Sequence, residues 1–381
     1  MNAIPLTLYA HMPWCVRKCP YCDFNSHQLK SARPDASYIA ALLRDFEREL
    51  PRIEGRRIDC VFFGGGTPSL FAPEQFARFL AEIRRRADLA GDAEITMEAN
   101  PGTIERGRFA AYAQAGVNRV SLGAQSFDAR MLERLGRIHS AEDTQRAVEE
   151  LRAARIENFN LDLMYALPEQ TVEQALRDVE LACALGPTHI SYYQLTLEAG
   201  TVFYSRPPPL PDEDTAWRIQ TEGQKLLAEA GFEQYEVSAY ARNGARCRHN
   251  LNYWLFGDYV GIGAGAHGKV SVSAPARILR TVKPKQPGDY QAEVNRDGAI
   301  GDCSAVQVRD LPFEFMLNAL RLNEGFSSEC FEGRTGLRMS CVQPQLEAAK
   351  LRGLLEVSPQ GWQPTDLGRR FLNDLQAAFL P

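Results

Sequence analysis

Hydrophobic positions along the chain follow two alternating rhythms. Short apolar or alternating runs, fit for strands, stand at Thr7–Met12, Ile58–Phe63, Glu94–Glu98, Arg119–Gly123, Asn158–Leu163 and His189–Leu195. Between them, apolar residues three and four apart predict helices over Ser37–Leu50, Pro73–Arg86, Glu105–Gly116, Ala141–Arg155 and Thr171–Gly186. Asp, Ser, Thr or Pro introduces several of these helices, and Gly116 and Gly186 stand where C-terminal caps belong. Such alternation is the mark of an α/β protein with a parallel sheet. Six strand–helix repeats are two short of a closed eightfold barrel. The economical expectation is a curved, partial (β/α)6 TIM-like barrel, with an open doubly wound sheet as the alternative that strand counting leaves standing.

Beyond the repeats, Arg206-Pro-Pro-Pro-Leu-Pro211 excludes a helix interior or a central strand. It predicts a rigid connection before a helix over Asp212–Gly231. Residues 241–300, rich in Gly, Pro and Arg, read as irregular. From about Cys303 the pattern changes. Helices near Val306–Leu322 and Met339–Arg352 lead to a hairpin within Leu354–Pro364, with Ser-Pro-Gln-Gly at its turn, and then to an amphipathic helix over Leu367–Phe379. Helices followed by a hairpin wing predict a small C-terminal winged-helix-like unit. The expected organisation is a barrel over 1–240, an irregular extension over 241–300 and this unit over 301–381.

Composition narrows the class. The chain has 381 residues, 45% of them hydrophobic and 24% charged, as in an ordinary soluble globular protein. Its net charge is −5 with both signs interspersed, so no basic field argues for nucleic acid and the C-terminal unit reads as packing or partner-docking. No apolar run approaches the ~20 residues of a membrane span. The first ten residues lack the basic and apolar regions of a secretory signal, so a cytoplasmic location is expected. Nine cysteines, three within eight residues and six scattered, are not a disulfide framework. They read as reduced thiols with one local metal site.

That site is His11-Met-Pro-Trp-Cys15-Val-Arg-Lys-Cys19-Pro-Tyr-Cys22-Asp-Phe24. Thiolates spaced C-x3-C-x2-C just after the first strand can converge on one face of a loop. Iron–sulfur clusters prefer Cys ligands, and three cysteines on a four-iron cubane leave one iron open. The amino and carboxylate groups of S-adenosylmethionine (SAM) suit an open iron. A zinc site is the alternative, with His11 or His27 as fourth ligand. After the second strand, Gly64-Gly65-Gly66-Thr67-Pro68 lets backbone approach a ligand closely, or simply makes a tight turn. Glu98, Gln125 and Asp162 sit at the C-terminal ends of candidate strands, where barrel sites are built. Their polar groups could serve ribose hydroxyls, and Arg137 could pair with a carboxylate. Gly261-Ile-Gly263-Ala-Gly265-Ala-His-Gly268 lacks the helix that a dinucleotide fingerprint needs after it, and reads as close backbone packing beside the barrel.

The cysteine triad after the first strand, followed by Gly64–Pro68 after the second, resembles the pattern of the radical SAM superfamily. More closely, nearly the whole chain resembles the branch that contains oxygen-independent coproporphyrinogen III dehydrogenase and the HemW-type haem chaperones. The resemblance implies a [4Fe–4S] cluster on Cys15, Cys19 and Cys22. It also implies a SAM pocket lined by Tyr9, Tyr21, Gly65, Gly66, Thr67, Glu98, Gln125, Arg137, Asp162, Thr196 and Ala266. The coproporphyrinogen enzymes carry a further Cys two places after the third ligand, where this chain has Phe24, and an N-terminal extension. Cys22-Asp-Phe-Asn-Ser-His27 and His249-Asn-Leu-Asn-Tyr253-Trp254 resemble the haem chaperone group instead.

His249, with Tyr253 beside it, is the expected haem contact, since imidazole is a common axial ligand; Cys247 is a second candidate, and a buried structural histidine is the plain alternative. Arg242, Arg246 and Arg248 could meet haem propionates. The implied function is a cytoplasmic haem chaperone that passes haem to an acceptor protein. The alternative is a coproporphyrinogen III dehydrogenase-like radical enzyme that generates a 5′-deoxyadenosyl radical.

Overall fold

The computed structural model describes residues 4–30, 35–103, 107–273 and 276–381. Six parallel strands form the frame: β1 (Leu6–Met12), β2 (Ile58–Gly65), β3 (Leu89–Ala99), β4 (Arg119–Gln125), β5 (Phe159–Tyr165) and β6 (His189–Gln194). Each pairs in parallel with the next. β1 and β6 do not pair with each other, so the arc stays open.

Local chemistry sets the crossover helices. Ser140 and Asp143 form a reciprocal capping box at the start of Ala141–Ala153, and Thr171 with Gln174 does the same for Val172–Ala184. Gly116 ends Arg108–Ala115 at φ +109°, where a side chain would be strained. The start of the expected helix Glu105–Gly116 lies outside the described residues. After the Pro-rich connection, the Asp212 side chain accepts from the Thr215 amide (2.7 Å) and opens Glu213–Glu229. A helix not expected, Ala129–Arg134, is capped by Asp128 through Arg130 N (2.8 Å) and Met131 N (3.2 Å).

Residues 241–300 are not irregular. They hold the helix Arg248–Trp254, three strands and the helix Pro287–Val294. In chain order β7 (Glu233–Gln234) and β8 (Ala239–Ala241) extend the β6 edge. β9 (Asp258–Ile262), β10 (His267–Ser273), β11 (Ala276–Val282) and β12 (Asp302–Ala305) extend the β1 edge, giving one twelve-stranded sheet. β9 lies parallel to β1, with Leu6 opposite Asp258 and Ala10 opposite Ile262, and every residue of β9 is buried. Glycines hid these strands from pattern reading because they are there for close approach: a Cβ on Gly261 would stand 1.9 Å from the His267 carbonyl oxygen.

The C-terminal unit contains the expected hairpin, Leu355–Ser358 against Gly361–Pro364. It also contains an unexpected helix, Ser328–Thr335, and its last helix is broken into Asp366–Arg370 and Leu372–Ala377 at Phe371. Its core includes Phe256 and Ile278, so it packs on the extension rather than standing apart. No described helix is long and apolar enough to cross a membrane.

Candidate functional site

A cavity of about 600 Å³ opens inside the arc. That volume suits one drug-sized ligand. Strand geometry turns every second residue into it: Arg119, Ser121, Gly123 and Gln125 from β4, Asn160 and Asp162 from β5, His189, Ser191 and Tyr193 from β6.

At the C-terminal ends of the strands, the loop after β1 brings Cys15, Cys19 and Cys22 to the cavity wall, all half-buried. The glycine segment holds that loop in place. Gly66 N donates to Met12 O and Thr67 N to Trp14 O, both at 2.7 Å. A Cβ on Gly66 would lie 2.6 Å from Trp14 O, and one on Gly65, at φ +110°, 2.3 Å from the His11 ring. The glycines are thus required first by chain-to-chain approach. Asn25 fastens the far side of the loop, donating through Nδ2 to Ala264 O (2.9 Å) and Lys285 O (2.8 Å).

Neither histidine is turned to the thiols. His11 Nε2 donates to Asn25 O and its Nδ1 accepts from the Tyr9 hydroxyl, both at 2.9 Å; His27 Nε2 donates to Lys285 O at 3.2 Å. Burial lowers His11 to about 4, so it is a neutral structural ring. A three-thiol, one-histidine zinc site therefore lacks its fourth ligand. Burial also raises the Cys15 and Cys22 thiols above their usual range.

Polar side chains face this wall. Glu98 Oε2 accepts from Gly65 N (2.9 Å); burial, and then the charge of Asp162, raise its carboxyl to about 7. Asp162, raised by burial, accepts from Asn160 Nδ2 at 2.7 Å. Gln125 sits at φ +67°, a strained conformation for a side-chain-bearing residue, and its Oε1 accepts from Tyr193 OH at 2.7 Å. Arg137 donates to Gly123 O (2.8 Å), its Nη1 lies 3.7 Å from Cys19 Sγ, and its buried Nε has no partner among the described residues. Tyr9, Tyr21, Thr67 and Thr196 also line the cavity. Ala266 does not. It is buried in the turn between β9 and β10, bonded to Gly263 and Lys283, because that turn packs behind the cysteine loop.

The polar network on the strands at the opposite end of the cavity was not anticipated. Asn160 is its hub: Oδ1 accepts from His189 Nδ1 (2.7 Å) and Ser191 Oγ (3.1 Å), while Nδ2 donates to Ser121 Oγ (2.7 Å) as well as to Asp162. His189 then accepts through Nε2 from Tyr235 OH at 2.8 Å, and burial pushes its pKa well below the usual value. The period of two could have found Asn160, two residues before Asp162.

The helix Arg248–Trp254 lies at this end. Glu94 holds its start: Oε2 accepts from Arg248 N and Oε1 from His249 N, both at 3.1 Å. His249 is only 2% exposed, stacks on Phe62 (4.8 Å between centroids) and lines the cavity, as does Tyr253. Burial, then Arg119, lower His249 to about 3, so the ring is neutral, and its Nδ1 has no partner among the described residues. Cys247 is wholly buried beside Glu94 and does not line the cavity. Arg242, Arg246 and Arg248 do not line it either. Arg242 lies over the Phe232 ring, Arg246 pairs with Glu324 and Arg248 donates to Asp92 O.

Residues 9–182 match the radical SAM superfamily and residues 306–371 the HemN C-terminal domain. The fold is that of coproporphyrinogen III oxidase (HemN) from Escherichia coli, with a TM-score of 0.83 over 99% of this chain and 90% of that one at 22% identity. Fold and cysteine loop together define a radical SAM protein. Within that class the sequence is 48% identical to the heme chaperone HemW of Escherichia coli and 47% identical to that of Haemophilus influenzae, each over 99% of this chain and 98% of the relative. It is 36% identical to a mouse protein, radical S-adenosyl methionine domain-containing protein 1, mitochondrial, over 98% of this chain and 87% of that one. The chain belongs to the HemW family.

Proposed function

We propose that this protein is a cytoplasmic haem chaperone that binds haem and passes it to an acceptor protein. It carries a [4Fe–4S] cluster on Cys15, Cys19 and Cys22 and SAM at the open iron. The observation that carries the haem reading is His249: a buried, neutral imidazole with an unpartnered nitrogen, lining the cavity beside Tyr253, in a chain nearly half identical to haem chaperones.

The thiol wall suits a cluster, because one loop brings all three cysteines to the lining of the same cavity. When bound, the cluster supplies an open coordination position for the amino and carboxylate groups of SAM. The chain's own residues do the rest. Gly65, Gly66 and Thr67 shape the approach, Arg137 offers its unpartnered Nε to a carboxylate, and Glu98, Gln125 and Asp162 offer acceptors to hydroxyls. Tyr9, Tyr21 and Thr196 close the pocket.

The test is anaerobic reconstitution, then haem titration and a coproporphyrinogen turnover assay on the same sample. A sharp Soret band without turnover is expected, and His249→Ala should shift or weaken that band while iron content stays the same. Robust protoporphyrinogen formation with SAM and reductant would instead establish the radical-enzyme alternative.

A further inference from the structure

Arg119 has no role in the reading above, and its surroundings are unusual. It opens β4, is 2% exposed and lines the cavity near His249. A buried guanidinium is costly unless hydrogen-bonded and paired. Among the described residues the one carboxylate paired with it is Glu94, at 4.0 Å from Nε, a separation too long for a hydrogen bond. Glu94 has no free face to offer, since its oxygens accept from Arg248 N, His249 N and Cys247 Sγ. Arg119 Nε is buried without a partner among the described residues. The arginines expected to meet propionates do not line the cavity. Asn160 and His189, on the next strands of the same cavity wall, spend their hydrogen bonds on each other, on Ser121, Ser191 and Asp162, and on Tyr235.

We propose that Arg119 is the anchor for a carboxylate of the ligand that His249 faces, which on the haem reading is a propionate. The guanidinium presents a planar fork that matches a carboxylate bidentately, and a low-dielectric cavity strengthens that pairing. A ligand carboxylate would supply the hydrogen bonds that the protein withholds from Arg119. With iron at His249 and a propionate at Arg119, the ligand is fixed at two points inside the barrel. The inference rests on haem being the cavity's ligand.

Two probes test it, haem and its dimethyl ester, titrated into reconstituted protein without SAM and followed by the Soret band. The wild type should bind haem about tenfold more tightly than the ester, the size expected of a charge-assisted hydrogen bond. Arg119→Gln should abolish that preference while keeping iron content and the SAM-induced change in the EPR spectrum. Arg119→Lys, which keeps a charge opposite Glu94, should retain part of the preference and guards against loss of fold in the glutamine variant. Equal affinity of the wild type for both probes, or a full preference in Arg119→Gln, would overturn the anchor and leave the haem reading intact. Binding of neither probe would bring down the haem reading and the anchor together.

Discussion

The two ends of the cavity are built on opposite principles. At the C-terminal ends of the strands the chemistry sits on a loop, half exposed, and is held by backbone hydrogen bonds from a glycine segment only fifty residues away. At the other end it sits on the strands, fully buried, and is held by side-chain networks: Asn160 with His189, and Glu94 with the helix that carries His249. The second end is held by side-chain hydrogen bonds, so each buried polar atom without a partner among the described residues stands out there.

The loop end has an outer brace as well. Lys283 Nζ donates at 2.7 Å to both Asp45 and Glu49 of α1 (Asp35–Ile53), with all three side chains almost inaccessible. Asp45 also accepts from Tyr290 OH and Gly263 N, and the adjoining Ala264 carbonyl holds Asn25. The extension that pattern reading took for irregular is therefore what clamps the cysteine loop from behind.

The sharpest break of the contrast removes the loop chemistry altogether. Replacing Cys15, Cys19 and Cys22 by Ala should take iron from about four per chain to none, by metal analysis of reconstituted protein. The buried floor should stay folded, with an unchanged far-ultraviolet spectrum. Next in size, Lys283→Met strands two buried carboxylates and should cost ~3–5 kcal/mol in denaturant unfolding. The same experiment on the exposed Arg177–Glu180 pair should change stability by less than ~1 kcal/mol. An equal effect at both places would refute the brace.

A subtler prediction concerns pH. The carboxyl of Glu98 is raised from 4.5 to about 7, so folding favours its protonated form. Its contribution to stability is fully present below about 4.5 and is lost as pH rises through about 7. Glu98→Gln should flatten that part of the profile of Tm against pH. On the proposed SAM site a hydroxyl donates more strongly to the ionised carboxylate, so SAM affinity should rise through pH 7 in the wild type and not in the variant. The smallest effect is expected at Phe24, which is 56% exposed at the cavity mouth. Phe24→Ala should move stability by no more than ~0.5 kcal/mol and leave iron content alone.

The sequence by itself determined the alternation of strands and helices and most of the helix caps, because those depend on residues within one turn or one pleat of each other. It also determined the cysteine loop and the glycine segment, whose meaning lies in short spacing. Glu98 and Gln125 stand at the ends of their strands and Asp162 within β5, and all three line the one cavity, as does Arg137, which follows the helix Ala129–Arg134. Tertiary structure alone decided the rest. β9 became a parallel neighbour of β1 through pairing across some 250 residues, and no local pattern encodes such a register. Ala266 was excluded from the cavity by that same packing. Arg119, His189 and Asn160 look like ordinary strand residues until the sheet curves and brings them to one cavity. Burial then turns a common surface charge into an exceptional one, because the cost of an unpaired guanidinium depends on how far water is excluded.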